Sequence, residues 1–199
     1  MFYKPEIRNR MQKWRKALGQ ISVTQAAQAV AAQVVQIREF LEAQHLGGYL
    51  AIENELDPMP IIQSAQNLKK KLYLPVINPA AAEESEPFQF YAYTVGDPLQ
   101  KDLHGISVPA HRSQSPFNMA QIDLILLPLL AFDSQCNRLG RGAGHYDRAL
   151  NNLKRRAGRL PYLMGLAYEF QKIPQIVADK WDVPMDIVVT EENVYRRIS

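Results

Sequence analysis

Asp123-Leu-Ile-Leu-Leu-Pro-Leu-Leu-Ala-Phe-Asp133 and, a few residues on, Arg138-Leu-Gly-Arg-Gly-Ala-Gly-His-Tyr-Asp147 decide how this chain folds. Leu124–Leu127 is an unbroken apolar run between Asp123 and Pro128, the pattern of a strand covered on both faces. A turn through Asp133 follows, then Gly140, Gly142 and Gly144, and then a helical pattern from His145 to Ala157 that Gly158 stops. Alternating glycines tolerate positive φ and let a ligand approach the backbone. The amides they expose, with the positive end of the next helix, make an anion site. Arg138 and Arg141 add forks that match phosphate oxygens. Asp147, in the first helical turn, can hold a magnesium ion beside such a phosphate. The same residues also read as a plain glycine-rich turn, with Asp147 complementing the helix dipole. The two arginines and the strand-to-helix position favour phosphate. No Gly-x-x-x-x-Gly-Lys loop is present, which argues against a common P-loop, and the spacing is not Gly-x-Gly-x-x-Gly.

On either side of this stretch, strands alternate with helices. Pro5 opens a helix to about Leu18 with Ile7, Met11, Trp14 and Leu18 on one stripe. Ser22 and Gln25 suit a capping box for a second helix, with Val30, Val34, Ile37 and Leu41 inward and Gly47-Gly48 as its stop. Strands are expected at Tyr49–Glu53, Lys71–Ile77, Phe88–Val95, Leu124–Leu127, Tyr162–Ala167 and Ile187–Thr190, with a helix ending at Leu68. Pro79–Pro87 reads as a surface loop, and Gly96–Met119 as a long loop of the functional or mobile kind. The expectation is one domain over residues 1–199, a three-layer α/β/α fold with a largely parallel central sheet.

Composition narrows the classes. With 47% hydrophobic and 22% charged residues the chain can bury a full core, and no apolar run is long enough for a membrane span. Lys4, Glu6, Arg8 and Arg10 interrupt any N-terminal signal core, and a single cysteine, Cys136, forms no internal disulfide; a cytoplasmic monomer is expected. The net charge is +3, but basic residues cluster in the first sixteen positions and again from Arg138 to Arg159. Charge alone is compatible with an anionic partner or with solvated helix faces. An RNA-binding module is disfavoured because the aromatic residues fall in core strands and no RNA-recognition motif is visible. His45, His104 and His111 read as surface or loop residues, and Cys136 as a bystander.

Leu130-Ala-Phe-Asp133 followed by Arg138-Leu-Gly-x-Gly-x-Gly-x-Tyr-Asp-Arg148 resembles the signature of the 5-formyltetrahydrofolate cyclo-ligases, also called methenyltetrahydrofolate synthetases. The likeness covers nearly the whole chain: Lys4-Pro-Glu-Ile-Arg8, Glu55-Leu-Asp-Pro-Met-Pro-Ile61, Leu72-Tyr-Leu-Pro75, Gly105-Ile106, Gly165-Leu-Ala-Tyr168, Gln171 and Asp182-Val-Pro-Met-Asp-Ile-Val-Val-Thr-Glu191 stand in the family's order. The resemblance implies an ATP- and magnesium-dependent closure of 5-formyltetrahydrofolate to its methenyl form, with no nucleic acid or membrane partner. It implies that Lys4, Arg8, Arg138, Leu139, Gly140, Arg141, Gly142, Ala143, Gly144, His145 and Tyr146 bind ATP. It puts Glu55 and Arg141 to His145 against the folate, names Arg141 and Tyr146 as catalytic, and gives Mg2+ to Asp147 and Asp186. Three positions depart from the pattern: His145 for a usual tyrosine, Leu129 for a glycine, and Val108 where a glutamate or glutamine is common. A nucleotide-binding relative without the reaction, acting as sensor or regulator, is the alternative these departures raise. Another phosphate-handling enzyme on a similar scaffold is a further one.

Overall fold

The structure is a computed structural model that describes residues 3–77, 87–102, 105–110, 115–157 and 160–198. Most of the Pro79–Pro87 loop, His104, His111, Gly158 and Arg159 lie outside the described residues. The helices are α1 (Lys4–Ala17), α2 (Gln20–Val34), α3 (Arg38–Glu42), α4 (Met59–Asn67) and α5 (His145–Ala157). The strands of the main sheet are β1 (His45–Gly47), β2 (Lys71–Ile77), β3 (Phe88–Tyr93), β6 (Leu124–Pro128), β9 (Tyr162–Leu166), β10 (Ile187–Val189) and β11 (Val194–Arg196). Two small hairpins complete the set, β4 (Leu99–Lys101) with β5 (Ser107–Pro109) and β7 (Ala131–Phe132) with β8 (Arg138–Leu139).

The seven-stranded sheet has the order β11-β10-β9-β6-β1-β2-β3. Strands β10, β9, β6, β1 and β2 run parallel, and both edges are antiparallel. Leu124, Ile125, Leu126 and Leu127 are fully buried in the middle of it, as an unbroken apolar run requires. Their even members face α2, α3 and α4, through Val30, Phe40, Ile61 and Ala65. Their odd members face α5, through Ala149, Leu150 and Leu153. Asp123 sets the register at the strand's start by accepting from the amides of Gln44 and His45, 2.9 Å each. α1 stands apart from both layers: Ile7 and Met11 pack on Leu130, Ala131 and Leu139 of the β7–β8 hairpin, beyond the carboxyl ends of the strands.

The expected fold class and the strands at β2, β3, β6, β9 and β10 agree with the structure. Three details differ. The second helical stretch breaks at Ile37, which is extended (φ −76°, ψ 129°), so that Phe40 turns inward and Leu41 is left half exposed. The first strand is His45–Gly47, not Tyr49–Glu53. A Cβ on Gly47 would sit 3.0 Å from Ile125 and 3.1 Å from Phe90, so this glycine lets two layers meet where a helix stop was expected. Glu53 and Asn54 (φ 50° and 55°) form a turn instead of continuing a strand. The hairpins and β11 were not expected; their strands are too short to show a period.

Gly165 in β9 is crowded, since an added Cβ would meet Leu129 at 2.8 Å, Val188 at 3.2 Å and Met185 at 3.3 Å. Gly165→Ala is therefore expected to lower stability by about 1–3 kcal/mol in urea denaturation, through overpacking.

Candidate active site

Strands β1 and β6 are neighbours, yet the helix after β1 (α4) packs on one face of the sheet and the helix after β6 (α5) on the other. Connections that diverge in this way leave a crevice at the carboxyl ends of the two strands. A cavity of about 440 Å³ opens there. Its floor is Tyr49, Leu50 and Pro128 to Leu130; one wall is Arg138 to Asp147, and α1 faces it with Lys4 and Arg8. Gln171 braces the floor from behind, donating from Nε2 to the carbonyls of Leu129 (2.8 Å) and Leu130 (2.9 Å). Asp133 does the same for the β7–β8 turn: its carboxylate accepts from the amides of Gln135, Asn137 and Ile176.

The glycine-rich wall needs its glycines at two points. Gly142 has φ +109° and Gly144 φ +65°, conformations that other residues adopt only with strain. Arg8 lies against this wall, donating from Nε to the Gly140 carbonyl at 2.9 Å, with its guanidinium 3.5 Å from where a Gly142 Cβ would stand. The loop then enters α5, whose first-turn amides have no intrahelical acceptor. Arg138, nearly buried, donates from Nη2 to Asp147 Oδ1 at 2.5 Å, and the Val183 amide donates to the same oxygen at 3.1 Å. His145 lies 3.0 Å from Arg148 through Nδ1 and remains in the cleft lining. Val108 is buried in β5 and does not line the cleft.

At one end of the cleft, Lys4 Nζ bonds Asp179 (2.7 Å) and Asp182 (3.2 Å). Burial pulls this ammonium down, but the two carboxylates outweigh it and hold it above its ordinary value. Asp147, Asp179, Asp182 and the exposed Trp181 all line this end. Asp186 does not. Its Oδ2 accepts from the Leu163 amide (2.8 Å) and its Oδ1 from Arg197 (3.0 Å), so it joins β10 to β9 and the C-terminal segment. The expected metal pair Asp147 and Asp186 is therefore not brought together; Asp182, four residues earlier, stands at the cleft beside Asp147 through Val183. Among the described residues no cluster of three or more His, Cys, Asp or Glu is disposed to hold a metal. Two carboxylates suffice for magnesium, which completes its shell with water and substrate phosphates. In both Asp147 and Asp182 the protein's bonds fall on one oxygen only, so this pair fits such an ion.

At the other end, Glu55 is almost fully buried. Its Oε1 accepts from Arg141 Nε at 3.1 Å and lies 3.8 Å from Arg15 Nη1, and Arg141 Nη2 reaches Glu53 at 3.1 Å. Tyr146 packs edge-on against Phe88, with ring centroids 4.9 Å apart. Burial, and next the Glu55 carboxylate, push its phenol well above its ordinary value, so it is a neutral donor at physiological pH. Sequence reasoning missed Asp179, Trp181 and Asp182 as cleft residues, and Arg15 behind Glu55. The only available signal was the basic and acidic character of their segments, which does not say which side of the fold they reach.

The chain matches the profile of the 5-formyltetrahydrofolate cyclo-ligase family over residues 1–191. It is 32% identical over 185 residues to the 5-formyltetrahydrofolate cyclo-ligase of Haemophilus influenzae, covering 92% of this chain and 96% of the relative. It is 28% identical over 181 residues to the Escherichia coli enzyme of that name, covering 91% and 96%. The NMR structure of Aquifex aeolicus 5,10-methenyltetrahydrofolate synthetase superposes with a TM-score of 0.81 at 28% identity, over 100% of this chain and 94% of that one.

The Arg138–Asp147 pair makes a stability prediction. Arg138→Met strands a largely buried carboxylate and is expected to cost about 3 kcal/mol in chemical denaturation. Asp147→Asn keeps an oxygen to accept from Arg138 and Val183, and should cost less by the same measurement.

Proposed function

Because the chain belongs to the 5-formyltetrahydrofolate cyclo-ligase family, we propose that this cleft binds ATP and 5-formyltetrahydrofolate together and closes the folate to 5,10-methenyltetrahydrofolate. One observation carries the reading: the glycine-rich anion cradle and the buried Glu55 are walls of a single cleft, joined by Arg141. The triphosphate lies against Arg138 to Tyr146, with the loop amides and Arg8 facing its oxygens and Lys4 closing over its tail. The pterin lies toward Glu55, whose carboxylate accepts from the ring's amino group and a ring N–H, with Gly142, Ala143, Gly144 and His145 along its edge.

A formamide oxygen is a poor leaving group, so closure needs activation. The formyl oxygen attacks the γ-phosphorus of ATP and ADP departs, leaving the oxygen as a phosphate ester of the imidate. The second folate nitrogen, N10, then attacks the formyl carbon; phosphate leaves with that oxygen, and the N10 proton passes to solvent. The attacking oxygen carries no proton, so no general base is required at the first step. The protein contributes positioning and charge neutralisation. Arg141, partly exposed at the mouth of the loop, turns its guanidinium to the transferring phosphoryl group. Tyr146, held neutral, donates a hydrogen bond and does not accept a proton. Magnesium, when bound, neutralises charge on the phosphate oxygens. Asp147 and Asp182 are the residues to hold it.

The departures from the family pattern do not favour a silent sensor, since the Val108 side chain is buried beside the cleft-lining Ser107 without lining the cleft itself, and His145 keeps its place in the lining. Cys136 is buried, and desolvation pushes its thiol up to about 11, so it is unreactive.

Purified protein with 5-formyltetrahydrofolate, ATP and magnesium is expected to accumulate methenyl product by absorbance, and to make none without ATP. Product formation that ignores ATP, or none under any condition, overturns the reading. Asp147→Asn and Asp182→Asn are each expected to lower turnover by at least about 100-fold at ordinary magnesium, the scale of a lost charge stabiliser. Asp186→Asn should change the melting temperature and leave turnover near wild type.

A further inference from the structure

Glu55, 6% exposed, meets two arginines of very different freedom. Arg141 sits on the glycine-rich loop with 38% of its side chain exposed, and divides its guanidinium between Glu55 and Glu53. Arg15, near the C-terminal end of α1, is 1% exposed and approaches Glu55 only to 3.8 Å. Its Nε and Nη2 are buried with no hydrogen-bond partner. A buried guanidinium with idle N–H groups is costly, and a fold keeps one where its charge is needed.

The reaction proposed above gives that charge a purpose. When Arg141 turns to the phosphoryl group, Glu55 loses its closest cation while still buried. The other ionisable groups coupled to this region are Tyr49, Tyr146, Tyr168 and Glu53, with Arg138 on the far side of Tyr146. With Arg141 turned away, the carboxylate keeps the Ile52 amide at 3.3 Å on Oε2 and the Arg15 guanidinium at 3.8 Å on Oε1. Among the described residues, Arg15 is the other cation paired with Glu55, and burial keeps it there. Burial lowers its guanidinium from its ordinary value, with Glu55 opposing and Arg141 adding to the effect. Arg15 also shapes the turn that presents Glu55. Its carbonyl accepts from Asn54 Nδ2 at 2.9 Å, which holds Asn54 at φ 55° beside Glu53 at φ 50°. Two successive non-glycine residues at positive φ are strained and need an outside anchor. The turn closes with the Glu55 amide on the Ile52 carbonyl at 3.0 Å.

We propose that Arg15 is a positioning residue for folate: it keeps a buried positive charge beside Glu55 and holds that carboxylate toward the pterin while Arg141 serves the phosphoryl group. Arg15 touches neither substrate and acts through Glu55. The proposal rests on the reading of Glu55 as the pterin acceptor.

Binding of 5-formyltetrahydrofolate, by calorimetry with and without magnesium and a non-hydrolysable ATP analogue, tests it in Arg15→Met, Arg15→Lys, Glu55→Gln and the double variant Arg15→Met/Glu55→Gln. With the analogue bound, Arg15→Met should weaken folate binding by about ten-fold or more, the scale of a lost charged partner. The loss should be smaller without analogue, since Arg141 then still pairs with Glu55. Arg15→Lys should recover part of it. In the Glu55→Gln background Arg15→Met should have no further effect on folate binding. Wild-type folate affinity in Arg15→Met, with Glu55→Gln impaired, overturns the inference and leaves the Glu55 assignment standing. An Arg15→Met loss of equal size in both backgrounds also overturns it, as plain scaffolding. Glu55→Gln with undiminished folate binding removes the Glu55 assignment and this inference together. Should Arg15→Met not fold, rescue of folding by Glu55→Gln supports the coupling, and a double variant that is equally unfolded overturns it.

Discussion

The bond between Arg138 and Asp147 holds the cleft together. It joins the last strand of a hairpin to the first turn of α5, across the glycines that form the wall between them. The same carboxylate oxygen takes the Val183 amide, so the C-terminal segment with Asp179, Trp181 and Asp182 is fastened to that junction as well. A loop with two residues at positive φ has few internal restraints and would otherwise wander. It is clamped at its start by Arg138 and at its end by Asp147, and its carbonyls at Gly140 and Ala143 accept from Arg8 and Arg148.

The sheet supplies the place and α1 supplies the far wall. Divergent connections after β1 and β6 open the crevice, and α1, packed on the β7–β8 hairpin, lies across it. Lys4 and Arg15 are eleven residues apart on this helix, about 16 Å along its axis. One reaches the aspartates at the nucleotide end and the other the glutamate at the folate end, with Arg8 on the glycine loop between them. A single helix thus spans both proposed substrate ends, and its two buried apolar anchors, Ile7 and Met11, keep those cations in line. Charge pairing recurs throughout: the part-exposed Lys4 and the buried Arg15 and Arg138 each answer an acid within the cleft or directly behind it. Such pairs add little net stability, and their value is in orientation.

Much of this was legible from the order of residues. The run Leu124–Leu127 suits a strand covered on both faces, and the alternation around it implies layers of helices on a largely parallel sheet. Gly142 and Gly144 carry positive φ as an anion-binding loop requires, and Arg138, Arg141 and Asp147 stand around it. Glu55, from a distant loop, meets Arg141 as the family pattern implied it would stand near that wall. What could not be read was any partner decided by distance in space. Asp182 and Asp186 are both acids flanking Pro184, equal in composition. The direction of the chain at Val183 puts one at the cleft and turns the other to Leu163 and Arg197. Arg15 looked like one more cation on a basic helix.

From its sequence alone this protein had its fold class, its central strand, its glycine-rich loop and its family, because local pattern and glycine placement are properties of neighbouring residues. Only the tertiary structure decided which of two aspartates faces the cleft, which arginine is buried behind Glu55, and that α1 forms a wall. Those are outcomes of packing, where a helix of mixed charge is held by two apolar side chains and a carboxylate is assigned by whichever donor its turn brings within 3 Å or so.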